Sequence, residues 1–455
     1  MSDVKVVVEA PSASDDAQAD AKPVSDERRS GIFGASFNFA NSIVGAGIIG
    51  MPFALKRTGL YGGCLLLVLV AYLSMYSSRL LVSCAHKLNL KSFESTCRHV
   101  FGKAGYNCVL ICMTLFAFGG MVAYLILVGN TFTRVAAAAF GDESIFADRH
   151  VIVLTVSVIF ILPLSLARNI SSLSHFSMLG LASVAVIIIA VALRAPDIAW
   201  HYFEGSEPII EKYHSVLEPT LFAGIGAMSF AFVCNHNSFI VFNSMSNPTP
   251  QRWRGVSAIS VGFALVLSLA LGLAGAINFG QFAQPDILNN FPEDDILIIA
   301  ARIMLGVSMV MTYPMEMFVA RHCLLEVASG GEVGEPSFWK HAAASLFLWT
   351  STMVIAITVP DFGVVLELTG ALTASCLGYI LPGLIYLSVV KFPADAIRAW
   401  RVDPATGARG EPDLRKRLYE TFKDIGPIFL VVFGAVALVA GTSTALTDLA
   451  GPIEH

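Results

Sequence analysis

The chain has 455 residues, 55% of them hydrophobic and only 14% charged, with a formal net charge of −5. A soluble protein of this length needs far more charge to cover its surface, so the composition excludes a soluble globular fold. No soluble domain, phosphate-binding loop or nucleic-acid motif interrupts the apolar pattern, and nucleic acid is not an expected partner.

In chain order, residues 1–30 are rich in Asp, Ala, Ser and Pro and lack an apolar centre. They read as a disordered cytoplasmic tail rather than a cleaved signal peptide. Eleven apolar runs then reach the roughly 20 residues a spanning helix needs. They lie near 31–55, 61–85, 105–130, 150–168, 172–194, 219–242, 254–280, 296–320, 338–359, 361–388 and 424–446. The expectation is an all-α, multi-pass integral membrane protein of eleven transmembrane helices, with the lipid bilayer as solvent. With the N-terminus placed in the cytoplasm, the inner segments hold 22 of the 29 Lys and Arg residues. Acidic residues such as Asp294 and Asp295 gather on the other side. This asymmetry predicts a cytoplasmic N-terminus and an outer C-terminus. The eight cysteines are scattered, and no disulfide framework is readable. Cys108 and Cys112, spaced i, i+4, read as packing residues. The sequon Asn169-Ile170-Ser171 falls on the predicted cytoplasmic side and reads as chance.

The first and sixth runs are broken by small and polar residues. The first contains Asn41-Ser42-Ile43-Val44-Gly45-Ala46-Gly47, and the sixth Gly224-Ile225-Gly226-Ala227-Met228-Ser229-Phe230 followed by Cys234-Asn235-His236-Asn237. Unwound backbone in a bilayer is tolerated only where it lines a cavity or is buried in protein. A matching pair of such breaks in two halves points to the binding site of a secondary transporter. The breaks are five helices apart, so equivalent blocks have opposite orientation: a 5+5 inverted repeat with an extra helix. The predicted units are a first repeat at 31–194, a second at 219–388, a basic cytoplasmic loop at 389–423 and an eleventh helix at 424–446.

Main-chain donors at the first break suit the carboxylate of an amino acid, because they recognise it whatever its side chain. Ser42, Val44, Gly45, Ala46 and Gly47 are the expected substrate residues there, with Ser229, Phe230 and Ala231 at the sixth. Glycine pairs also serve close helix packing, which is the competing reading of each motif. On the eighth run, Ser308 and Thr312 present two hydroxyls on one helix face. Together with carbonyls from the first break they could cage a hard cation such as sodium; hydroxyls that bond back to their own helix are the alternative. His236, Glu316 and Glu367 are titratable groups deep in apolar runs and are candidate proton-linked residues, unless each only makes structural pairs.

The strings Asn41-Ser42-Ile43-Val44-Gly45-Ala46-Gly47-Ile48-Ile49-Gly50-Met51-Pro52, Leu162-Pro163-Leu164-Ser165-Leu166-Ala167-Arg168-Asn169-Ile170, the segment 228–242 and Met311-Thr312-Tyr313-Pro314-Met315-Glu316 occur in this order. Together they resemble the sodium-coupled neutral amino acid transporters of the amino acid/auxin permease group, over roughly residues 30–390. The resemblance implies the eleven-helix amino acid–polyamine–organocation superfamily fold, with substrate at the two breaks. It also implies sodium ligands at Asn41, at Thr312 and at a carbonyl near Val44; Ser308 is added from its spacing alone. Better-known members carry outer cysteines between helices five and six, and this chain has none between Arg194 and Glu218. The expected activity is therefore secondary active transport of small neutral L-amino acids with sodium as co-substrate, without covalent chemistry or a further cofactor. Two alternatives stay open: a proton-coupled amino acid exporter or exchanger, and an amino-acid sensor acting through the tail.

Overall fold

The computed structural model describes residues 30–141, 143–166, 177–202, 218–331, 337–391 and 425–450. The expectations placed on the tail, on the Ala167–Ile170 end of the second motif, on the sequon and on the basic loop lie outside these residues. Among the described residues the secondary structure is helical apart from an isolated bridge between Ser30 and Met245.

The first segment is a chain of three short helices, α1 (Ile32–Ile43), α2 (Ala46–Ile49) and α3 (Met51–Thr58). Ten further stretches are long and apolar enough to cross a bilayer. They are α4 (Leu60–Lys87), α5 (Phe93–Phe140), α6 (Arg149–Leu166), α7 (Met178–Ala199), and a segment, Leu221–Ser244, divided into α8 (Leu221–Phe232) and α9 (Asn235–Ser244). After it come α10 (Pro250–Phe279), α11 (Ile296–Ala328), α12 (Phe338–Thr358), α13 (Phe362–Val390) and α14 (Ile425–Leu449). The ten match the predicted runs from the second onward. The first segment, interrupted twice, is too short in each piece to meet the same length criterion.

Helix starts follow from short side chains that satisfy orphan amides. Asp295 accepts from the amides of Leu297 (2.9 Å) and Ile298 (3.2 Å), and Asp361 from those of Gly363 (2.7 Å) and Val364 (3.2 Å). Thr249 caps α10, whose first residue, Pro250, needs no amide partner. Helix α5 is longer than the predicted run at both ends: it continues to Phe140, and it adds a charged stretch, Phe93–Phe101, before Gly102. That glycine has φ 68° and ψ −156°, which divides the stretch from the apolar span.

The two broken segments run antiparallel. At one end, the Ser30 amide donates to the Ser244 carbonyl (3.1 Å) and the Ser246 amide to the Ser30 carbonyl (3.2 Å). At the other, the Thr220 hydroxyl donates to the Arg57 carbonyl (2.8 Å). The start of the first segment thus lies beside the end of the sixth, and the reverse, as an inverted pair requires.

Bare backbone, rather than side chains, forms the tightest contact of the core. A Cβ on Gly370 of α13 would lie 1.8 Å from the Gly226 carbonyl oxygen of α8, and one on Gly226 would lie 2.5 Å from the Glu367 carbonyl oxygen. Dispersion packing and close approach, not water exclusion, hold helices together in lipid. Gly370→Ala is therefore expected to destabilise the fold by about 1–3 kcal/mol through overpacking. Thermal unfolding in detergent reads this, with Gly255→Ala as a control expected to melt like the wild type, since nothing lies within 4 Å of its would-be Cβ.

Candidate functional site at the two helix breaks

Helix α1 stops because Val44 (φ −78°, ψ 94°) and Gly45 (φ −144°, ψ −153°) are extended. The Val44 amide still bonds back to Ala40 (2.8 Å), and the Ile48 amide returns to Gly45 (3.2 Å). Among the described residues, the amides of Gly45, Ala46 and Gly47 meet no main-chain acceptor, and the Val44 carbonyl meets no main-chain donor. In the other broken segment Val233 (φ −79°, ψ 111°) and Cys234 (φ −133°, ψ 25°) leave helical geometry. The Ser229 carbonyl is taken by the Val233 amide (3.0 Å) and the Phe232 carbonyl by the Ser74 hydroxyl (2.6 Å). The carbonyls of Phe230 and Ala231 have no main-chain donor among the described residues.

These bare groups converge. A small cavity of about 40 Å³, open on one side, is lined from the first break by Ser42, Ile43, Gly45, Ala46 and Gly47. Phe230, Ala231, Val233 and His236 line it from the sixth segment, and Phe116, Gly120 and Tyr124 from α5; Glu316 of α11 completes the wall. Donors on one side and acceptors on the other match the two ends of a zwitterion, and the Phe116 and Phe230 rings, 5.4 Å apart, cover it with apolar surface.

The sixth break is displaced from its predicted position. It falls at Val233–Cys234, and Gly224 to Phe232 are regular helix. The glycines that suggested unwinding serve close approach instead: a Cβ on Gly224 would lie 2.5 Å from Thr58 Cγ2 and 3.0 Å from the Ala54 carbonyl. Ser229 does not line the cavity. It is fully buried, and its hydroxyl accepts from the Tyr379 hydroxyl (3.1 Å). Phe230 and Ala231 reach the cavity as expected. Val44 is buried beside it without forming its wall.

Two of the expected ion residues, Asn41 and Ser308, flank a residue that sequence reading missed. A Cβ on Gly180 of α7 would sit 3.6 Å from Ser308 Oγ and 3.7 Å from Asn41 Oδ1. Ser308 Oγ is buried with no hydrogen-bond partner among the described residues. Thr312 Oγ1 donates to the Ser308 carbonyl (2.8 Å), which leaves its lone pairs available. Neutral oxygens of this kind suit a hard cation.

Glu367 is elsewhere. Its carboxylate, 1% exposed, accepts from Arg57 Nε (2.9 Å), and Arg57 also pairs with Asp448 of α14. The interaction ties α3 to α13 and α14, and Glu367 is not a cavity residue. His236 and Glu316 both face the cavity, while the neighbouring Asn235 anchors α9 by donating to Ser77 Oγ (3.0 Å) and the Leu377 carbonyl (3.0 Å). Phe116, Gly120 and Tyr124 were also missed. Their i, i+4, i+8 spacing on one face of α5 was the available signal.

The model of the transmembrane amino acid transporter protein family matches residues 28–406, and the chain belongs to that family. "Putative sodium-coupled neutral amino acid transporter 11" of Danio rerio is 34% identical over 363 residues, covering 79% of each chain. "Vacuolar amino acid transporter 2" of Saccharomyces cerevisiae is 33% identical over 369 residues, covering 78% of this chain and 76% of the relative. Among solved structures, Mhp1, a nucleobase-cation-symport-1 family transporter, in a closed conformation with bromovinylhydantoin bound, aligns with a TM-score of 0.56 at 12% identity. That alignment covers 93% of this chain and 94% of Mhp1. Its inward-facing conformation gives a TM-score of 0.58 at 11% identity, covering 93% and 92%. The resemblance read from the motifs therefore holds. The chain is an integral, multi-pass amino acid transporter with the fold of these transporters, not an enzyme.

Two outcomes follow from the geometry. A Cβ on Gly47 would lie 2.7 Å from Ala231 Cα, backbone that cannot swing away. Gly47→Val is expected to push the two broken segments apart and abolish amino acid binding, measured by ligand-dependent thermal shift; Gly45→Ala, with nothing within 4 Å, should fold normally. Arg57→Ala leaves the Glu367 carboxylate buried and loses about 3–5 kcal/mol. Adding Glu367→Gln should restore part of the lost melting temperature.

Proposed function

We propose that this chain is a secondary active transporter of small neutral L-amino acids, coupled to sodium. The observation that carries the reading is the placement of free amides at Gly45–Gly47 and free carbonyls at Phe230 and Ala231 on one cavity wall each. The substrate carboxylate is held by the amides, with Ser42 beside them, and the amino group by the carbonyls. Main-chain recognition leaves the side chain unread, which suits a carrier of several small amino acids.

Sodium is held by Asn41, Ser308, Thr312 and the Val44 carbonyl. The proximity of Asn41 Oδ1 and Ser308 Oγ around Gly180 supports this assignment. So does the name of the Danio rerio relative, "Putative sodium-coupled neutral amino acid transporter 11". Val44 joins the two sites, since its carbonyl belongs to the ion and the next amides to the substrate. An ion that binds one conformation better shifts the population toward it, and this couples the gradient to transport. The Lys and Arg distribution supports a cytoplasmic N-terminus.

Purified protein in liposomes is expected to accumulate radiolabelled alanine and glutamine when sodium is supplied outside, and far less without a sodium gradient. Thr312→Ala and Ser308→Ala should each raise the half-saturating sodium concentration by about tenfold, equivalent to about 1.4 kcal/mol. Unchanged sodium affinity in both variants would refute the ion site. Uptake driven equally well in sodium-free medium by a pH step would favour the proton-coupled alternative.

A further inference from the structure

The cavity holds one acidic group that neither the zwitterion contacts nor the sodium contacts use. Glu316 lines the wall, and its Oε2 atom is buried with no hydrogen-bond partner among the described residues. Access to it is open because α5 places Gly120 opposite: a Cβ there would sit 3.7 Å from Glu316 Cγ and 3.9 Å from Cδ. No Lys or Arg is among the lining residues, and the other titratable groups of the wall are Tyr124 of α5 and His236 of α9. His236 Nδ1 also lacks a partner. The first segment and α7 contribute no titratable side chain to the wall.

The buried and part-buried arginines of α11 and α3 are engaged elsewhere. Arg321, further along α11, donates to the Ser165 carbonyl (2.8 Å) and Ser345 Oγ (2.9 Å). Arg302 donates to the carbonyls of Leu288 (2.9 Å), Phe291 (3.0 Å) and Pro292 (3.2 Å). Arg57 is held by Glu367 and Asp448. On α12, which packs against α11, His341 faces the Leu166 carbonyl (3.4 Å).

A carboxylate in the membrane interior without a partner costs several kcal/mol, which a proton or a positive charge removes. A zwitterion held by main-chain groups at both ends brings no net charge to offset it. We propose that Glu316 is a charge-compensating subsite for the substrate side chain. Ionised, it accepts the terminal ammonium of a cationic amino acid such as ornithine or lysine; with a neutral amino acid in the cavity it carries a proton instead. The inference rests on the amino acid transport reading above and extends it to a second substrate class. The loaded cavity then has the same charge with either substrate, so both can pass through the same conformational change.

The test uses the full chain in liposomes at fixed sodium and clamped membrane potential, with radiolabelled alanine and lysine, and the same pH on both sides. Wild-type protein should take up both. Alanine uptake should fall as pH rises from about 5.5 to about 8.5, while lysine, cationic throughout, should not lose uptake. Glu316→Gln should lose lysine uptake by about tenfold or more and make alanine uptake independent of pH, whereas Glu316→Asp should retain both behaviours. In wild-type protein, lysine should also raise the melting temperature at about pH 8 and do so much less at about pH 5, a readout that needs no substitution. Lysine uptake undiminished in Glu316→Gln overturns the proposal, and so does a pH dependence of alanine uptake that survives there, which would belong to His236. Wild-type protein that moves alanine without pH dependence and does not move lysine overturns the subsite and leaves the transport reading standing. Protein that moves neither amino acid overturns both.

Discussion

Main-chain groups left unpaired inside a membrane are the constraint on which the rest of this protein is arranged. Each bare amide or carbonyl costs free energy in hydrocarbon unless protein, water or a ligand meets it. Two breaks, at Val44–Gly45 and Val233–Cys234, create such groups, and antiparallel pairing of the broken segments brings them to one cavity. The surrounding helices keep lipid away from that cavity. Asn235 pins α9 to α4 and α13, Ser74 takes the Phe232 carbonyl, and Phe116 covers Phe230.

The same arrangement sets the proposed substrate and ion sites side by side. Val44 is the last residue before the free amides, and Asn41 lies one turn earlier on the same helix. A change in the angle of α1 moves both at once. The pairing of Arg57 with Glu367 and Asp448 ties α3 to the second half of the chain and to α14. The last helix is thereby attached to the broken segment through a charge network as well as by packing.

Much of this was legible in the residues. Composition and run length identified a helical membrane protein, because only helices or closed barrels satisfy backbone in lipid. The polar residues around Gly45 and Gly47 marked the first break, and Ser308 with Thr312 marked one face of α11. The second break was misplaced because a glycine in a membrane helix has two uses, unwinding and close approach. Gly224 and Gly226 are used for close approach, against Thr58 and the Glu367 backbone, and a single chain read in one dimension does not show its neighbours. Ser229 was misassigned for the same reason: its partner, Tyr379, is 150 residues away.

By itself the sequence determined the solvent, the helical class, the interrupted first span and the family, since these depend on local composition and on motifs contiguous along the chain. Only the tertiary structure decided which small residues open the cavity and which close helix contacts. It placed Gly180 beside Asn41 and Ser308, and it separated Glu316, left without a partner at the cavity wall, from Glu367, paired with Arg57. Each of those distinctions depends on what lies across a helix interface, and hydropathy, which averages along one strand of chain, carries no record of it.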